Sequence, residues 1–304
     1  MKIIENPLNQ RELVERCIKR YGHTSDHNLD WFVCGITAKD GKAVFIEWPD
    51  GSGLLTHRYG KEWRIWSNPL SLESAMVDRI AEFALKIFED KSIEKVWCDF
   101  IDDNIRPALV KMSKFKVNDI YYSLLWPVID MTFYDPKLPG GRLKDLRHAR
   151  NKFYREHKVA VKPAQSINKE DLHNIVQRWK NNRKNKDEET YDLWYHCAID
   201  KDFRGFKTAR AVMVDGLPVA LNAGYEVVNK EERFAGIVGL HDYSSQDLGT
   251  IIYLEDLDWI KNAGYKEADM QGSEEDHGLR FKMRFKSTIE RKTDTFSIKR
   301  LTSS

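Results

Sequence analysis

The chain has 304 residues, 49 Lys and Arg against 47 Asp and Glu for a net charge of +2, and a hydrophobic content of 41% that includes nine Trp. So many aromatics exclude a disordered chain, the near-balance of charge excludes a uniformly cationic protein and makes any basic surface local, and the length admits one large core or two ordinary domains. Cys17, Cys34, Cys98 and Cys197 form no C-x-x-C pair, which argues against a zinc or redox site; no apolar run reaches the length of a membrane span and the N-terminus lacks a signal peptide's apolar core, which points to a cytoplasmic protein with no integral membrane segment.

In the first half, apolar periodicity predicts a helix over 10–21, strands over 31–36, 43–48, 54–59 and 63–66, a helix over 72–89, a strand over 93–100, a short helix over 104–112 and a long strand over 119–131. "HTSDH" sets His23 and His27 four apart. On a helix that spacing would make a two-His metal face, but Ser25, Asp26 and Asn28 read as a loop, and no metal is expected. "SNPL" (67–70) reads as a turn that starts a helix. "DPKLPGGR" (135–142) concentrates Pro and Gly and is the best linker, dividing the chain into domains 1–138 and 139–304.

The second half opens on "RLKDLRHARNKFYREHK" (142–158), with seven Arg and Lys and two His against Asp145 and Glu156. Leu143, Leu146, Ala149 and Phe153 recur at helical spacing and mark one buried face, so the rest of the helix is basic. It is either a solvated surface or a platform for phosphates, with Arg147, Arg150 and Lys152 as the candidate contacts. Helices over 169–182 and 191–199 follow, then strands over 208–214, 217–228 and 232–240, a helix over 248–262, a strand over 266–271, a short helix ending near 283 and a last strand over 286–298. On the strand "LNAGYEV", Asn222 and Gly224 share one face and Tyr225 takes the other, so only one of Asn222 and Tyr225 can line a given cleft. "SEEDH" (273–277) reads as a solvated turn capping the next helix, or as a contact for a cation or an acceptor's ammonium.

Both halves thus run helix, antiparallel meander, helix, strand, helix, strand, and "ALVKMSKFK" (108–116) and "LRFKMRFK" (279–286) hold the same place in each order. This α/β (α+β) pattern, mixed central sheets flanked by helices, resembles two GCN5-related N-acetyltransferase (GNAT) folds in tandem. "IIYLEDLDWIKNAGYKEADMQGSEEDHGLRFKMRF" (251–285) is similar to the closing segment of the Fem-type aminoacyl-tRNA-dependent transferases: a helix ending in Gly264, a strand with Asp269, then Gly278, Leu279, Phe281, Lys282 and Phe285. The phosphatidylglycerol lysyltransferase C-terminal domain and the CelD-like acyltransferases share that order, and the basic helix resembles the one that opens their second half.

The resemblance implies an acyl donor carried on a polyanion, tRNA or coenzyme A, used as a co-substrate with no permanently bound cofactor. A GNAT fold using acyl-CoA cradles pyrophosphate at a helix N-terminus through [RQ]-x-x-G-x-[GA]. The matching "QDLGTI" supplies Gln246, Gly249 and Thr250 but has Ile251 in the last place and adds Asp247, which favours tRNA. Acyl transfer to an amine needs an orienting or proton-accepting group and a stabiliser for the developing oxyanion. Asp269 and Tyr225 are candidates for the first and Lys282 for the second or for contacting the donor's terminal phosphate, contributing to turnover more than to stability. The expectation is an aminoacyltransferase acting from charged tRNA on an amine of a peptide, lipid or small molecule. The alternatives are an acyl-CoA N-acyltransferase and a catalytically silent tandem-GNAT module that docks RNA or protein.

Overall fold

The computed structural model describes residues 1–36, 40–182, 192–275 and 277–301. They form two compact units: one of Met1–Trp126, Gly272–Arg280 and the tail from Ile289, the other of Pro127–Gln271 and Phe281–Thr288. The first unit holds β1 (Lys2–Ile4), α1 (Arg11–Tyr21), α2 (Leu29–Cys34), β2 (Gly41–Glu47), β3 (Gly53–Tyr59), β4 (Glu62–Ile65), α3 (Met76–Ile87), β5 (Lys95–Asp102), α4 (Ile105–Lys111) and β6 (Lys116–Val117). The chain passes into the second unit along β7 (Tyr122–Asp130). There it forms α5 (Lys144–Glu156), β8 (Val159–Pro163), α6 (Lys169–Asn182), α7 (Asp192–Asp200), β9 (Thr208–Val214), β10 (Leu217–Glu226), β11 (Arg233–His241), α8 (Leu248–Asn262) and β12 (Glu267–Asp269). After α9 (His277–Met283), β13 (Thr288–Lys299) carries the chain back to the first unit.

Each sheet repeats one plan. In the first unit the order is β1-β2-β3-β4-β5-β13, with β6 on β13, and β4 and β5 are the one parallel pair. The second unit orders β7-β12-β11-β10-β9-β8, and β11 and β12 are its parallel pair. The compact units part at Trp126 and Pro127, twelve residues before the expected boundary at 138/139, and the first unit is discontinuous because β13 returns to pair antiparallel with β5 from Thr293–Asp102 to Lys299–Lys95.

The segment predicted as a strand over 31–36 is helix α2. A short apolar run fits either state, and Asn28 decides it by accepting the amide N–H of Trp31 at 3.0 Å as an N-cap. Three strands escaped the sequence pattern, among them the two-residue β6. β1 is three residues long, and β8 is an exposed edge strand with little apolar alternation to betray it.

Alternation along β2 sends Val44 and Ile46 to a core completed by Ile80, Phe83, Ala84 and Ile87 of α3. In the second unit α8 is apolar around most of its circumference and is buried at Ile251, Ile252, Leu254, Leu257 and Ile260. The apolar stripe of α5 is buried as its spacing predicts, at Leu146, Ala149 and Phe153. Each of the larger of these side chains, the alanines excepted, contributes about 1.5–3 kcal/mol by leaving water. Gly224 marks a register shift in β10, and a Cβ there would lie 2.1 Å from the carbonyl oxygen of Ala235. Only glycine lets the two strands come that close.

Candidate functional site in the second unit

β11 and β12 are in register over three pairs, Arg233–Glu267, Phe234–Ala268 and Ala235–Asp269. β12 then ends while β11 continues to His241. Pairing between the two strands thus stops at Ala235–Asp269, and we refer to the place between them past that pair as a V with this pair at its apex.

Two of the three candidate catalytic residues meet on the β12 arm of that V. Asp269, 6% exposed, accepts the backbone N–H of Gln271 at 2.8 Å, and Lys282, 9% exposed, donates from Nζ to the Gln271 carbonyl at 2.9 Å. The two side chains thus hold the peptide units on either side of the Gln271 Cα, and Gln271 itself is in the left-handed region at φ 63°. Phe281 and Phe285 seat the Lys282 segment by packing on Tyr253 of α8 at 4.9 and 5.5 Å. The side-chain Nε2 of Gln271 is buried and has no hydrogen-bond partner among the described residues. Such an orphaned donor is costly in a folded protein and calls for a functional explanation. The sequence reading passed over Gln271; the signal was a polar residue between a strand end and Gly272.

Tyr225 lies on the adjoining strand β10, its Cα paired with that of Ala235 at the apex. It is 4% exposed, on β10, with its ring against Phe206 at 5.4 Å. Asn222 is also a packing residue, donating to the Ile252 carbonyl at 2.8 Å to tie β10 to α8.

The Gln246–Thr250 loop does open α8, as expected. Asp247 is its N-cap residue in a left-handed conformation at φ 66°, and its carbonyl accepts from Thr250 and Ile251. His241 stands against the first turn so closely that a Cβ on Gly249 would lie 2.8 Å from its Nε2. Burial pushes that imidazole down to about 4, so it is neutral at pH 7. The turn is therefore met by an uncharged ring that packs, tilted, against Tyr243 at 4.2 Å.

On α5, Arg147 donates to the carbonyls of Leu138 and Gly140, and Arg150 to that of Pro136. Arg150 also faces Asp258 at 3.9 Å. Part of the donor capacity of both arginines thus ties the 136–140 segment to the helix, whereas Lys152 has no partner among the described residues. Next to α8's inner face, Arg210 of β9 forms a buried ion pair with Asp256, which the sequence reading also missed. Burial pushes the Asp256 carboxyl up to about 6 although Arg210 pulls it down.

The corresponding V in the first unit is stapled. β4 and β5 pair as far as Ile65–Cys98. Beyond that, Asn68 donates to the Asp102 carboxylate at 2.7 Å and accepts the Asp102 amide at 3.0 Å. Arg291 braces the same carboxylate at 3.3 Å and Asp26 at 3.1 Å, lying 3.8 Å over Trp126. His27 lies in this network as a buried neutral imidazole, bonded through Nε2 to the Asn68 carbonyl and Ser67 hydroxyl, both at 2.9 Å. His23 and His27 are in a loop and not on a helix. Asp276 of "SEEDH" lies outside the described residues; Ser273 exchanges two backbone hydrogen bonds with Leu125. Among the described residues no group of three His, Cys, Asp or Glu is placed to hold a metal ion, and no helix is long and apolar enough to cross a membrane.

The sequence matches no protein-family profile. Solved structures do match. L-PGS from Bacillus licheniformis is 15% identical and aligns over 100% of this chain and 95% of its own, with a TM-score of 0.66. FemX is 11% identical over 98% and 97% of the two chains, at 0.61. A tandem GNAT protein from the clavulanic acid biosynthesis pathway is 10% identical over 100% and 99%, also at 0.61. At these identities the likeness is one of fold, and the fold is that of tandem GNAT proteins.

Proposed function

We propose that the second unit is an acyl-transfer site that moves an aminoacyl group from a charged tRNA to an amine on a peptide, lipid or small molecule. The observation that carries the reading is the end of β11–β12 pairing at Ala235–Asp269, with Asp269 and Lys282 both bonded to the backbone of Gln271 just past it. A slender acyl-bearing end laid past that pair has its carbonyl beside polar groups fixed by the fold, which is the preorganisation that acyl transfer requires.

In the proposed reaction the neutral amine attacks the ester carbonyl of the donor. A C–N bond forms, the ester C–O bond breaks, and the amine proton passes to the departing ribose oxygen. The orphaned Gln271 Nε2 and the Lys282 ammonium are the donors for the developing oxyanion. Asp269 holds the backbone N–H of Gln271 and so helps to fix that residue in place. Tyr225, on the neighbouring strand β10 and packed against Phe206, is given no step in this chemistry.

Two features favour tRNA over acyl-CoA as donor. The α8 N-terminus is met by the neutral His241 and preceded by Asp247, neither of which adds the positive charge that a pyrophosphate seeks, and Ile251 replaces the small residue of the CoA motif. The CoA reading keeps the Gln246, Gly249 and Thr250 match. On α5, Lys152 is the candidate phosphate contact with its charge unengaged, while Arg147 and Arg150 would use the donors that the 136–140 carbonyls leave over.

The test is to incubate the chain with tRNA charged with labelled amino acids and an amine-rich metabolite extract, and to measure tRNA and CoA binding across salt concentration. Labelled amide product and tRNA affinity falling with a log-log slope of roughly 0.7–0.9 per phosphate support the reading. Saturable CoA binding without tRNA binding moves the assignment to an acyl-CoA N-acyltransferase.

A further inference from the structure

A pocket of about 350 Å³ opens in the second unit away from the V, between the edge strand β8, the start of β9 and the C-terminal part of α8. Its lining includes Lys162, Gln165, Phe206, Lys207, Arg210 and Trp259, and contains three cationic side chains and no carboxylate. None of the residues assigned to acyl transfer lines it. The volume falls in the range of pockets that hold small organic ligands.

From this lining we infer a second binding site, one for a small planar organic anion: a carboxylate or phosphate carried on an aromatic ring. Arg210 supplies the buried charge. It is 8% exposed, its guanidinium lies 4.5 Å over the ring of Trp259, and its Nε has no partner among the described residues. Asp256 takes one edge of that guanidinium from the α8 side, which orients the group without lining the pocket. Lys207 is held at the mouth by Glu226 at 3.1 Å, and Glu226 is held in turn by the hydroxyl of Tyr265 at 2.7 Å. Lys162 has no partner among the described residues, so its charge is available to an incoming anion. Trp259 and Phe206 offer ring surfaces for a flat body, which aromatic walls favour by stacking. Charge-assisted hydrogen bonds formed where water is partly excluded are the stronger kind.

The site stands or falls independently of the transfer reaction. Calorimetric titration of the whole chain with indole-3-acetate and with adenosine monophosphate tests it. The neutral twins indole-3-acetamide and adenosine, and inorganic phosphate, are the controls. At least one ring-bearing anion is expected to saturate below about 1 mM, with its neutral twin and inorganic phosphate weaker by about tenfold or more. Lys162→Glu, a change on an exposed edge strand, is expected to weaken that binding by about tenfold or more with an unchanged melting temperature. The same loss in Lys207→Gln places the anion at the mouth. The inference is overturned if neither anion saturates, if a neutral twin or bare phosphate binds equally well, or if Lys162→Glu leaves the affinity as it was.

Discussion

Replacing Lys282 by Met keeps the aliphatic stem and removes only the ammonium. In an exposed position that change would cost within about 0.5 kcal/mol. Here the side chain is 9% exposed and its Nζ donates to the Gln271 carbonyl at 2.9 Å, just past the apex of the V. A hydrogen bond from a charged donor contributes about 1.5–3 kcal/mol, and removing the donor takes that bond from the Gln271 carbonyl. For a unit of roughly 150 residues, a loss of this size lowers the melting temperature by roughly 3–12 °C. Differential scanning calorimetry is the assay, because two units need not unfold as one and a separate transition for the second unit would carry the shift. Transfer activity is measured beside it at a temperature where the variant is folded. If the ammonium also stabilises the oxyanion, the rate falls by about 10²-fold in addition. A melting profile identical to that of the parent chain would show that Lys282 is not held as described, and the site built on it would go too.

Gly224→Ala is expected to abolish folding of the second unit or cost about 3 kcal/mol or more, since its Cβ would sit 2.1 Å from a backbone oxygen and 2.6 Å from the Phe234 ring; native-like circular dichroism and melting would refute this. Asn68→Leu removes two hydrogen bonds to Asp102, at 2.7 and 3.0 Å, from a site that is 2% exposed, and should destabilise the first unit by about 2–4 kcal/mol in urea titration. The first unit should also lose stability on acidification. Burial lowers His27 to about 3 and His57 to about 4. The unfolded chain therefore takes up these protons first, near pH 6.5, and stability that is full above that pH is lost as pH falls towards the folded values. Each histidine contributes a slope on the order of 1.4 kcal/mol per pH unit, so a melting temperature unchanged between pH 7 and pH 5 would contradict their buried neutral state.

The amino-acid sequence by itself determined the local elements and their order. The stripe of Leu143, Leu146, Ala149 and Phe153 defined α5, the apolar run from Leu248 defined α8, and the repeated order of helices and strands led to the tandem GNAT fold. These are periodic properties of neighbouring residues, and periodicity is what a chain reveals without its partners. Where a segment was too short for a period to show, as in 31–36, the sequence was ambiguous and a single cap from Asn28 chose the helix. The unit boundary belonged to the tertiary structure, because β13 pairs with β5 across nearly 200 positions and no local signal marks such a pairing. So did the site. Lys282 and Asp269 could be singled out by their place in a familiar order, but only folding set both on the backbone of Gln271 and left that residue's side-chain Nε2 without a partner among the described residues. The basic helix makes the same point in reverse. Its charge is plain in the sequence, yet Arg147 and Arg150 turn part of it inward to the carbonyls of 136–140. A side chain's hydrogen bonds are decided by whichever groups the fold brings within about 3 Å, and that distance is not written in sequence spacing.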